Sequence, residues 1–275
     1  MEDRIRITID NGIADVRMIR AAKMNALDPA MFDALAEAGA KLRADPALRA
    51  VVLSGEGRAF CAGLDMGSFA RMAGKDGAGS PLTAGNLAER THGIANWAQH
   101  VVWQWRELPV PVIAAVHGVA FGGGFQLALG ADMRYAAPGT RLSVMEVKWG
   151  LVPDMAGTQL MRHLARDDVV RELTYTGRVF AAEEALGYGF VTRIVEDPHA
   201  AAMAVAREIA EKSPDAIRAA KRLLNIAPVS EPRAGLVAEA VEQQQLIGSA
   251  NQAEAVRANL EQRPPRFADP VPSVA

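Results

Sequence analysis

The stretch HGVAFGGGFQLALGAD (His117–Asp132) decides how this chain is read. It lies in a window, Leu108–Ala131, of 24 residues without Asp, Glu, Lys or Arg, long enough to span a bilayer. Pro109, Pro111, Gly118, the triplet Gly122–Gly124 and Gly130 break that window too often for a membrane helix. It reads instead as a buried strand, Val112–Val116 (VIAAV), a tight glycine turn and a short buried helix. A helix start offers N–H groups without intrahelical partners and the positive end of a dipole. Bare glycines let a ligand approach that backbone.

A second turn has the same grammar. The apolar strand Ala50–Ser54 (AVVLS) leads into Arg58–Asp65 (RAFCAGLD). One glycine turn alone is most simply close packing of helix on strand. Two, each following a short buried strand, point to a paired backbone-donor site.

Outward from these turns the chain alternates short strands and helices. Ile5–Ile9 and Val16–Ile19 flank a turn at Asn11-Gly12. Asp28-Pro29 predicts a capped helix start, with Phe32, Leu35, Ala38 and Leu42 on one face. Gly74–Gly85 reads as a mobile loop, and residues 87–106 as a helix carrying Trp97, Val101 and Trp105. Strands follow near Met133–Ala136 and Leu142–Val144, helices begin near Met155, Asp168 and Ala181, and Val191–Val195 is the last strand. From residue 197 on, three helical patterns remain, 198–212, 214–225 and 231–261, ahead of an irregular proline-rich tail. The division is a core over 1–196 and a helical region over 197–275.

Composition narrows the function. The chain has 275 residues, net charge −2 and 23% charged residues, with no basic bias toward nucleic acid. The lone Cys61 forms no intrachain disulfide, and the charged N-terminus is unlike a secretory signal, so a reducing, cytoplasmic setting is expected. No Gly-x-Gly-x-x-Gly, P-loop, Gly-x-Ser-x-Gly or His-Glu-x-x-His occurs, and the five histidines lack ligand spacing. Nucleotide hydrolysis, serine hydrolysis and zinc chemistry recede.

Several segments together resemble the crotonase superfamily, the enoyl-CoA hydratases and isomerases. They are Lys23-Met24-Asn25-Ala26-Leu27, Ala59–Asp65, His117-Gly118 through Gly122–Gly124, Gly150–Pro153, and Gly157-Thr158-Gln159. The ordered match covers about residues 5–260. The resemblance implies an α/β spiral of strand-strand-helix units, capped by C-terminal helices that pack as a homotrimer or a dimer of trimers. It implies an acyl-CoA substrate whose coenzyme A enters as part of the substrate, with no cofactor and no metal required; the near-neutral charge and the broken apolar window leave no nucleic acid and no membrane expected as partners. The thioester oxygen would sit between the N–H groups of Leu64 and Gly123. Ala62, Gly63 and Asp65, with Lys23 and Ala26, would line the coenzyme A end, and Gly122 and Gln126 the pocket. Two preset donors stabilise an enolate as its charge develops, and one such donor is worth roughly 10²–10³ in rate.

The acids decide the reaction. Hydratases of this family carry glutamates at the positions of Gln126 and Glu146; here only the second is an acid. An amide cannot shuttle a proton at neutral pH. That disfavours ordinary hydration and favours isomerisation of an enoyl- or dienoyl-CoA with Glu146 as proton shuttle. Asp154, eight residues on, resembles the aspartate of dienoyl-CoA isomerases and is its expected partner, although those enzymes have an aspartate where Gln126 stands. The alternatives are hydration of an unusual acyl group, in a pocket enlarged near Trp97, Trp103 and Trp105, or a coenzyme A- or RNA-binding scaffold without turnover. Blander roles are a surface ion pair for Glu146, a polar helix position for Gln126, a helix cap for Asp154 and packing for Cys61 and His117.

Overall fold

A computed structural model describes residues 3–72 and 86–270 of the chain. The loop expected at Gly74–Gly85 lies outside the described residues. Asn11 and Gly12, both at positive φ, join β1 (Ile5–Asp10) to β2 (Ile13–Met18) in a tight hairpin. Asp28 accepts from the Met31 N–H at 2.9 Å and Pro29 opens α1 (Pro29–Arg43), as the local chemistry requires. There follow β3 (Ala50–Gly55), α2 (Met66–Met72), α3 (Trp97–Glu107), β4 (Val112–Val116), β5 (Val119–Phe121) and α4 (Gly123–Leu129). Next come β6 (Met133–Ala136), β7 (Arg141–Ser143), a 3-10 turn over Glu146–Trp149, α5 (Gly157–Met161) and α6 (Asp167–Thr176). The chain closes with β8 (Phe180–Ala181), α7 (Ala182–Tyr188), β9 (Arg193–Ile194), α8 (Pro198–Ala210), α9 (Pro214–Ile226), α10 (Pro232–Leu246) and α11 (Ala250–Leu260).

The main sheet runs β1-β2-β3-β4-β6-β9, parallel after the first hairpin, and a small second sheet runs β5-β7-β8. Side chains alternate across a strand. Val51, Leu53, Val112 and Ala114 therefore face the core shared with α1, α3 and α4, while Ala50, Val52, Ile113 and Ala115 face Ala202 and Ala206 of α8. Both faces are covered, which is why β4 reads as an unbroken apolar run. The boundary expected at 196 falls just before α8, yet α8 is itself a layer of the sheet packing. Lys221 of α9, 5% exposed, ties the helical region inward through Asp132 (2.8 Å) and the carbonyls of Val110 (2.7 Å) and Trp105 (3.2 Å).

Two expectations need correction, and a third holds with one strand added. The helix expected over 87–106 starts only at Trp97, where Asn96 and Gln99 form a reciprocal capping box. The pattern 231–261 is two helices, broken at Gly248, which has φ +77°, with Ser249 capping the second. The charge-free window Leu108–Ala131 divides into β4, β5 and α4, and no helix among the described residues is long and apolar enough to cross a membrane.

Candidate active site

The two glycine turns meet. The Cys61 N–H donates to Val119 O at 3.1 Å and the Phe121 N–H to Cys61 O at 3.1 Å, so the first turn pairs with β5 as a short parallel bridge. β5 is the element that the sequence leaves unseen between VIAAV and the triplet. On its other side the first turn pairs with Leu27. The Leu27 N–H donates to Gly63 O (2.8 Å) and the Asp65 N–H to Leu27 O (3.0 Å). A parallel bridge of this kind engages the two neighbours of Leu64 and leaves the N–H of Leu64 itself pointing away. Among the described residues that N–H has no acceptor. Nor does the N–H of Gly123, the first residue of α4.

Glycine is needed where these turns touch. Gly63 has φ +87°, and a Cβ there would stand 2.5 Å from Phe121 O and 3.8 Å from the Gly123 nitrogen. At Gly122, φ +49°, a Cβ would come within 3.3 Å of Glu146 Oε1. Close packing and a donor site are thus both served by these residues.

A cavity of about 200 Å³ opens on the turns. Ala62, Gly63, Leu64, Gly122 and Gly123 form its polar edge, and Phe32, Phe69, Met145, Trp149 and Met155 are among its apolar walls. Glu146 and Asp154 both line it. Glu146 is 8% exposed and makes no ion pair among the described residues, which removes the surface-pair reading. Its Oε1 accepts from Gln126 Nε2 at 2.6 Å, while its Oε2 is buried with no partner among the described residues. Burial pushes its carboxyl above the usual range; the Gln126 bond opposes this and the nearby charge of Asp154 adds to it. Asp154 keeps an exposed surface on the cavity, but the protein around it still raises its carboxyl by desolvation. It does not cap a helix: α5 begins after Ala156, which makes no side-chain cap.

Other expected residues fall elsewhere. Gln126, 1% exposed, sits behind the cavity wall rather than in it. Asp65 accepts from Arg20 at 2.7 Å and from the Gly67 N–H at 2.8 Å, so its carboxylate is already engaged. Ala26 is buried beside it, its carbonyl accepting from Arg20 at 3.0 Å, and Lys23 is exposed. Cys61 is buried, donates to Asn25 O at 3.1 Å, and has its thiol pushed up to about 12. His117 hydrogen-bonds the Gly57 carbonyl at 2.9 Å. Of the tryptophans expected near an acyl group, Trp105 is core and Trp103 donates to Glu107; Ala98 is the α3 residue that lines the cavity. The aromatic wall is Trp149 stacked on Phe69, centroids 4.5 Å apart. Trp149 sits three residues after Glu146, one helical turn on, and that spacing was the available signal. Among the described residues no cluster of three His, Cys, Asp or Glu is arranged to hold a metal.

Two unpartnered N–H groups on an apolar cavity that a buried carboxylate also lines can hold a developing oxyanion and move a proton near it. Comparison with known proteins agrees in kind. The family model described as Enoyl-CoA hydratase/isomerase matches residues 8–270. A probable enoyl-CoA hydratase of Bacillus subtilis is 30% identical, covering 96% of this chain and 98% of the relative. A carnitinyl-CoA dehydratase of Salmonella arizonae is 34% identical over 81% of this chain and 80% of its own. The crystal structure of an enoyl-CoA hydratase from Bacillus anthracis superposes with a TM-score of 0.87 at 28% identity, covering 97% of this chain and all of that one. The fold is the one the resemblance implied, and the chain belongs to the enoyl-CoA hydratase/isomerase family.

Proposed function

We propose that this chain acts on an acyl-CoA thioester through an enolate, and that its reaction is double-bond isomerisation of an enoyl- or dienoyl-CoA. The N–H groups of Leu64 and Gly123 receive the thioester oxygen. Glu146 Oε2 takes a proton from one carbon and returns it to another, and Asp154 serves the far end of the conjugated system. Coenzyme A lies along Ala62–Asp65 and the Lys23–Ala26 segment, and no separate cofactor is required. The observation that carries this reading is Glu146, which lines the cavity that the two free donors edge and whose Oε2 is buried without a partner among the described residues. Gln126, an amide bonded to Glu146 and to the 155–157 turn behind the wall, supplies no second proton carrier.

Hydration is the second reading, favoured by the names of the relatives, among them a mammalian methylglutaconyl-CoA hydratase. In that case Glu146 and Asp154 act as the acid–base pair on water. Incubation with enoyl- and dienoyl-CoA esters in deuterium oxide separates the two. Deuterium at the α or γ carbon with a moved double bond is the expected result. Water addition faster than exchange assigns hydration instead.

The exposed Leu224, Val229, Leu236, Val237 and Val241 on α9, α10 and their connection are the face we assign to self-association, as a trimer or a pair of trimers. A single buried, reduced cysteine fits a cytoplasmic setting.

A further inference from the structure

Gln126 does not touch the cavity, yet its amide is the most heavily used polar group near it. The N–H groups of Met155 and Gly157 both donate to its Oε1, at 2.9 and 2.8 Å. A backbone N–H can only donate, so the carbonyl oxygen must face that turn and the NH₂ must face Glu146. Its Nε2 donates there to Glu146 Oε1 at 2.6 Å. The intervening Ala156 is held at φ +67°, a left-handed conformation that an L residue adopts only under constraint. Aiming two N–H groups, two residues apart, at one oxygen is that constraint. A Cβ at Gly157 would stand 2.6 Å from the same Oε1, so the glycine follows from the contact as well.

We infer that Gln126 is a positioning residue that fixes Glu146 in its working orientation and locks it to the turn following Asp154. The inference rests on reading Glu146 as the proton carrier. Occupying Oε1 leaves Oε2 as the oxygen free to exchange a proton with substrate. The clamp also joins three parts of the site into one hydrogen-bonded unit: α4, which begins with the Gly123 donor, the 3-10 turn of Glu146, and the 155–157 turn. An amide suits this place because a second carboxylate would need a shared proton to lie against Glu146.

The charges on the surrounding elements are few or paired: α6, which packs on the Glu146 turn, carries Asp167 paired with Arg171, Asp168 paired with Arg166 and Glu172 paired with Arg178. The residues of α4 are uncharged. The segment before α5 presents Asp154, which acts on Glu146 through its negative charge. The 3-10 turn carries Lys148, whose ammonium lies 5.4 Å from the Trp149 ring centre.

Carboxyl-stretch infrared titration, with the Glu146 band assigned by its loss in Glu146→Gln, tests the clamp without turnover. In Gln126→Met the carboxylate loses its donor. The Glu146 midpoint is expected to rise by about one to two pH units, and the acid limb of deuterium exchange to move with it while KM stays. An unmoved midpoint in folded Gln126→Met overturns the inference. Gln126→Glu guards against misfolding, since it keeps the acceptor for both amides and, protonated, the donor to Glu146. Its paired carboxyls are expected to titrate in two steps, one below and one above the wild-type midpoint. A single step at the wild-type midpoint overturns the inference. Absence of exchange by the wild type on every acyl-CoA tried would sink the proposed reaction but leave the titration to decide the clamp.

Discussion

Arg20 and Asp65 join the two segments assigned to coenzyme A. The guanidinium donates to Asp65 Oδ2 at 2.7 Å and to the Ala26 carbonyl at 3.0 Å, and its second arm lies 3.4 Å from Asp28. Asp65 therefore shapes the cradle from behind. Asp65→Asn is expected to raise KM for acyl-CoA several-fold and leave kcat within about twofold, because the charge-assisted bond holds geometry rather than reacting atoms. Steady-state kinetics check it; an unchanged KM removes Asp65 from that role.

The same pair sets an acid limit. Asp65 is held below its ordinary range first by the Arg20 bond, and Asp28 is held low by Arg4, the Met31 N–H and Arg20 against the cost of burial. A lowered native value gives stability that is present above the unfolded aspartate range near pH 4 and is lost as pH falls through the native values. Urea midpoints measured from pH 6 to pH 3 should fall, and Asp65→Asn should flatten that fall.

Glu146 behaves in the opposite sense. Its native carboxyl titrates above the unfolded one, so its contribution is most favourable below the unfolded value and is lost as pH rises through the native one. Glu146→Gln should therefore melt higher than wild type at pH 8, with the gap closing toward pH 4. The same variant should lose about 10²–10⁴ of exchange activity. A variant that is inactive but no more stable at pH 8 would contradict the buried-charge account.

Gly63→Ala tests the donor turn. The added Cβ meets a backbone carbonyl, which cannot swing aside, at a left-handed φ. A melting-temperature drop of at least about 2 °C is expected, with kcat down by roughly 10² as the Leu64 donor shifts. Equal activity would place the oxyanion elsewhere.

Trp149→Ala removes one half of the Phe69 stack at the apolar wall. The acyl-length profile should move toward longer or bulkier chains, at little cost in fold because Trp149 is 39% exposed. A profile identical to wild type would exclude this wall from acyl recognition.

What the sequence made legible was local. Asn11-Gly12, Asp28-Pro29 and the run VIAAV state their structures within a few residues. The donor turns were legible as a pair of glycine breaks after buried strands. The contacts that assemble the site were not. Gln126 reaches Met155 and Gly157 across 29 and 31 residues, and Phe69 meets Trp149 from another element; no periodicity encodes either. The residues before Asn96 carry a helix-like mix that hides it as a helix start, and only the reciprocal bonds with Gln99 fix the boundary.

The bridge between Cys61 and Ala120 hydrogen-bonds the two donor turns directly to each other. Adaptation to different acyl groups must then come from the opposite wall, around α2 and Trp149. In such a molecule the oxyanion donors and the apolar wall reside on separate pieces of backbone, while Glu146 shares its 3-10 turn with Trp149 of that wall. Evolution could redraw the acyl pocket by exchanging a few apolar side chains without disturbing either donor, and one chemistry could be carried to many substrates.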